Sequence, residues 1–122
     1  MLKNNFFFPV GSITGDDGTI KATIRLIKTH PIFAGHFPGL PIVPGVCMMA
    51  MIKEVLEEKV NRPLQLQTAA NIKFLSLIDP MKNEQVDIEI KYKKAEGDSF
   101  ISDGIIVVNN HVFFKITGAV YH

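Results

Sequence analysis

The residues of this chain best suited to chemistry stand close together. His36 lies in a proline-rich stretch, Gly45 where that stretch ends, and Cys47 just beyond it. An imidazole titrates near neutrality, so a rigidly held His36 would serve as a general base, and a histidine bonded to backbone is the plain structural alternative. Gly45 follows Pro44 at the start of a predicted helix. The first N–H groups of a helix have no internal partner, and Val43 has no side-chain oxygen to cap them. A carbonyl placed there would be polarised by the Gly45 N–H and the helix dipole, which would stabilise a developing enolate. Glycine at that point also permits close packing, and the two roles are compatible. A helix N-terminus could lower the pKa of Cys47 and make it a nucleophile beside His36, but within VCMMAMI it reads as a small core hydrophobe. Met48, Met49 and Met51 read as core or as a lining adaptable to a flexible ligand. His30 precedes Pro31 and belongs to the loop, while His111 and His122 fall at a turn and a terminus. These histidines and one cysteine form no recognisable metal set, and no nucleotide or phosphate-loop motif is present, so neither a metal nor a cofactor is expected.

The elements that must position these groups follow from the pattern. Phe6 to Thr14 reads as a strand, turning at Gly15, Asp16, Asp17 and Gly18 into Ile20 to Leu26, where apolar residues alternate with Lys21, Thr23 and Arg25. The stretch THPIFAGHFPGLPIVPGV excludes a continuous helix and a central strand, and Pro38, Pro41 and Pro44 stiffen it into an ordered loop. A helix is predicted from about Pro44, suited to the first helical position, to Lys59. Val46 to Ile52 is apolar without a break, so its first two turns show no solvent face, and Lys53, Glu54, Glu57, Glu58 and Lys59 then restore one. Sheet, alone or together with a second subunit, must surround those turns. Beyond Pro63 the chain reads as strands: Leu64 to Phe74, Val86 to Lys93, Phe100 to Val108 and Val112 to Tyr121. Asn109 and Asn110 accept the positive φ of a two-residue hairpin turn.

A length of 122 residues with 47% apolar side chains suits one domain, residues 1–122. Thirteen basic and twelve acidic residues without a long block of either sign give no footprint for nucleic acid or an anionic membrane. One cysteine excludes an internal disulfide and suits a reducing cytoplasm. MLKNNFFFPVG falls short of a signal peptide or a membrane span.

The run HFPGLPIVPGV, His36 to Val46, followed by the apolar helix, closely resembles the active-site segment of the 3-hydroxyacyl-acyl carrier protein dehydratases. Asn71, Ile72, Lys73 and Phe74, continuing to Pro80, resemble that family's third strand and the turn after it. The resemblance implies an α+β hot dog fold, an antiparallel sheet wrapped around one central helix, paired into a dimer with substrate tunnels at the interface. It implies that His36 is the base at the carbon next to the thioester carbonyl and that Gly45 polarises that carbonyl. It assigns Phe37, Pro44, Val46, Met49 and Ala50 to the substrate-binding surface. In the family a carboxylate on the helix protonates the departing hydroxyl, fourteen residues after the histidine, and here that position is Ala50. A methyl group donates no proton, and loss of a general acid typically costs on the order of 10² to 10⁴ in rate. Glu54 is the nearest acid, one turn and about 6 Å along the axis, and it reads as a solvated helix residue.

Three functions fit these residues. The chain is a dehydratase-like lyase acting on acyl carrier protein or coenzyme A thioesters, a hot dog thioesterase in which water replaces the hydroxyl chemistry, or a non-catalytic acyl-binding subunit. In the family each site joins a histidine from one chain to an acid from the other, so the partner is a second copy or a related hot dog subunit.

Overall fold

The computed structural model describes residues 7–11, 13–27, 29–30 and 42–122. Among these residues the strands are β1 (Phe7–Pro9), β2 (Thr19–Leu26), β3 (Leu66–Thr68), β4 (Asn71–Phe74), β5 (Gln85–Lys94), β6 (Phe100–Val108) and β7 (His111–Tyr121). Helix α1 (Gly45–Val60) lies between β2 and β3 in the chain. The sheet runs β1-β2-β5-β6-β7-β3, with β4 also on β7, and every pairing is antiparallel.

Alternation decides which face is which. Ile20, Ala22, Ile24 and Leu26 of β2 are buried, as are Val86, Ile88 and Ile90 of β5, while Lys21 and Lys91 face solvent. Ile106, Val108, Phe114, Ile116, Ala119 and Tyr121 extend the inner face across β6 and β7. Against it pack Met48, Met51, Ile52, Val55 and Leu56 of α1, with the helix touching β2, β5 and β6. Each such side chain contributes roughly 1.5–3 kcal/mol by leaving water. Gly104 on β6 lets the helix come close, since a Cβ there would stand 2.9 Å from Ile52 Cγ2. This sheet wrapped around one helix is the hot dog arrangement.

Two predicted strands are broken. Among its described residues, the expected Phe6 to Thr14 strand pairs with β2 as a strand at Phe7–Pro9 and rejoins it at Thr14 opposite Lys21. Pro9 faces Ile24, so five positions on this segment span three on β2, and Gly11 takes up the excess at φ +75°. The expected Leu64 to Phe74 strand splits into β3 and β4 because β7 bulges. Gly118 stands at φ +59°, its N–H is held by Asp103 Oδ1 at 2.8 Å, and Ala70 crowds against it. Both hairpin expectations hold: Asn109 and Asn110 adopt φ +50° and +65°, and Thr14 to Lys21 closes over Gly15 and Gly18.

Candidate active site

The segment entering α1 is tied down before the helix begins. Val43 is buried and donates its N–H to the Ile78 carbonyl at 2.8 Å, so β4 and the turn after it fix where the helix starts. Pro44 is not the first helical residue, as expected, but the N-cap, with φ −61° and an extended ψ of 149°. Its carbonyl accepts the first helical bonds, from Cys47 N–H at 3.0 Å and Met48 N–H at 3.2 Å. Proline suits this place too, because its fixed φ is compatible with both regions and it has no N–H to satisfy. Among the described residues no side chain caps this end of the helix. The N–H groups of Gly45 and Val46 precede those first bonds and point out along the positive end of the helix dipole.

The ring edge of Phe74 rests on Gly45. A Cβ there would lie 2.7 Å from Phe74 Cε1 and 3.0 Å from Cζ, so it is this close approach, and not its φ, that favours glycine here. Phe74 in turn leans on Phe114, its partner in the β4–β7 register, with ring centroids 5.2 Å apart and planes tilted by 46°. Nothing in the sequence singles Phe74 out as a site residue, because its contact with Gly45 depends on strand register. Gly45→Ala is expected to push the ring aside with little change in melting temperature, because Phe74 is half exposed, and a thermal melt checks this.

The helix does not begin buried all round. Val46 is 73% exposed, and Met49, Ala50 and Lys53 are half-buried along the same stripe. The expectation of two turns without a solvent face therefore fails within a single chain: the sheet covers one side only. Phe74, Leu75, Leu77 and Met81 are likewise exposed in β4 and the segment following it. Of the predicted site residues, Pro44, Gly45, Val46, Met49 and Ala50 gather at this end of α1, whereas His36 and Phe37 lie outside the described residues.

Two acids depart from expectation. Glu54, read as solvated, is only 3% exposed, and Glu57 is also buried. Glu57 has a structural role. Its Oε2 accepts the Leu64 N–H at 2.7 Å, while its own carbonyl accepts the N–H of the left-handed C-cap residue Asn61 at 2.8 Å, so it fastens the exit of the helix. Cys47 is buried, and its thiol is pushed up first by desolvation and then by the negative charge of Glu54, the opposite of what a nucleophile needs. Among the described residues no three His, Cys, Asp or Glu side chains gather as a metal cluster, and no helix is long and apolar enough to cross a membrane. Cavities of about 370 and 420 Å³ are lined by Lys91 and Asp103, together with Tyr92 in one and Lys21 in the other, and Gly45 and Ala50 line neither.

A family model described as ApeI dehydratase matches residues 12–105. The 3-hydroxyacyl-[acyl-carrier-protein] dehydratase FabZ of Clostridium acetobutylicum is 32% identical over 85 residues, 64% of this chain and 59% of the relative. FabZ of Rickettsia africae is 34% identical over 102 residues, 77% of this chain and 66% of the relative. The chain spans between about half and two thirds of the length of these and the Wolbachia relatives. Among solved structures, a chain of the dehydratase heterocomplex ApeI:P from Xenorhabdus doucetiae superposes with a TM-score of 0.77 at 14% identity, covering 94% of this chain and 97% of that one. A putative thioesterase from Ralstonia eutropha JMP134 superposes at 0.63 with 12% identity, covering 92% and 84%. These structural likenesses show the fold. With the family model spanning most of the sequence, the chain belongs to the ApeI-like, FabZ-related dehydratase family.

Proposed function

We propose that this chain is a subunit of a two-chain hot dog dehydratase that acts on 3-hydroxyacyl groups held as thioesters on acyl carrier protein. His36 removes the proton next to the thioester carbonyl, and the Gly45 N–H, at the uncapped start of α1, receives the charge that develops on that carbonyl oxygen. The acyl chain runs over Phe37, Pro44, Val46, Met49 and Ala50. The observation that carries this reading is the uncovered apolar stripe beside the helix start, where Val46 stands 73% exposed next to Gly45. A thioester and a second subunit are what such a surface accommodates. The relatives named FabZ support the substrate, and the ApeI:P heterocomplex supports a second hot dog chain, either a copy or a related subunit.

The test is incubation of the purified protein with 3-hydroxyacyl and 2-enoyl thioesters of acyl carrier protein, following interconversion and hydrolysis separately. Interconversion without release of free acid is expected. Hydrolysis alone would replace this reading with a thioesterase. Sedimentation equilibrium at micromolar concentration should return the mass of two chains, and a monomer would count heavily against the shared site.

A further inference from the structure

Phe74 is an exposed ring held in one place. It is 55% exposed, yet it leans on the buried Phe114 at 5.2 Å, and the next residue, Leu75, donates its N–H to the Phe113 carbonyl at 2.9 Å. What the ring covers is the first residue of α1. Its Cε1 and Cζ stand 2.7 and 3.0 Å from the point where a Gly45 Cβ would be. At a helical φ the Cα–Cβ direction eclipses the N–H of the same residue, so an oxygen bonded to that N–H at about 2.9 Å lies about 3.6 Å from the same point. Ring edge and oxygen are therefore no more than about 6 Å apart, and the ring edge walls the place that such an oxygen occupies. The rim of an aromatic ring is its positive part, so it faces a carbonyl oxygen favourably. Val46, the next residue, is 73% exposed, and the start of the helix stays open to a ligand.

We propose that Phe74 is a positioning residue for the thioester carbonyl: its ring edge lies against the oxygen that takes the Gly45 N–H and keeps water from competing for that N–H. The proposal rests on the dehydratase reading above, in which Gly45 polarises the carbonyl. A hydrogen bond shielded from water is electrostatically stronger than one in water, and it strengthens further as the oxygen gains charge. Phe114 supplies the rigidity, because a ring packed on a buried ring is held where it excludes water.

The experiment measures, by isothermal titration calorimetry, the binding of two stable acyl-pantetheine analogues. One is a ketone in which a methylene replaces the thioester sulfur, and the other is the same molecule with the carbonyl reduced to a methylene. Wild type, Phe74→Leu and Phe74→Ala are compared, each in its native oligomer. Wild type is expected to bind the ketone about five- to tenfold more tightly than its oxygen-free counterpart, the worth of one hydrogen bond. In Phe74→Ala that ratio is expected to fall to within about twofold, with Phe74→Leu between the two. The ratio cancels the apolar contact that the ring makes with both molecules, so a merely structural role for Phe74 leaves it unchanged. Should Phe74→Ala fail to fold, Phe74→Leu keeps an apolar side chain on Phe114, and a fall in the ratio of at least about twofold is expected of it. A wild-type preference that persists undiminished in the folded variant overturns the role of Phe74 alone. A wild type with no preference for the ketone overturns the carbonyl role of Gly45, and that of Phe74 with it.

Discussion

His36→Ala will lower the interconversion of 3-hydroxyacyl and 2-enoyl thioesters by about two to four orders of magnitude while the far-UV circular dichroism spectrum and melting temperature stay those of wild type. Neither the helix dipole nor an apolar surface can replace a base in this reaction, and imidazole alone among the side chains ordinarily titrates near neutral pH. The kinetic pattern is informative as well as the size. If His36 acts in the transition state, kcat falls and KM moves little, whereas loss of a binding contact would raise KM and leave kcat alone. Unchanged turnover in a folded variant would remove His36 from the mechanism.

Phe114→Ala should cost about 3–5 kcal/mol of stability, a drop of roughly 10–20 °C in melting temperature for a domain of this size. The ring is fully buried, sits opposite Ile106 on β6 and Phe74 on β4, and joins the core to the ring that covers Gly45. Its removal opens a cavity between the sheet and that ring, and β4 loses its main apolar anchor. Phe113→Ala, one residue away at the β7 bulge and only half-buried against the edge of the same core, should cost well under half as much. Chemical denaturation of both variants checks the contrast, and equal losses would show that Phe114 is no more deeply built into the core than its neighbour.

Much of this molecule follows from pattern alone. The alternation along β2 and β5, the twin asparagines at the β6–β7 turn and the apolar run of α1 are local signals, and strand and helix periods convert them directly into elements. HFPGLPIVPGV identified the family because loop glycines and prolines are tied to backbone geometry one residue at a time. Other features needed the chain folded. The splitting of the expected Leu64 to Phe74 strand comes from a bulge at Gly118 on another strand, and the glycine at 104 answers to Ile52 on the helix. Phe74 came to lie over Gly45 through register, which a one-residue slip would have reversed. Glu54 shows the limit most clearly. Its place among Lys53, Glu57 and Glu58 reads as a polar face, and yet the fold buries it while leaving Val46 in the open. Charge and apolarity state a preference for water or core, but burial is shared out by the wrapping of a single curved sheet around one helix, and that sheet has only one inner face to offer.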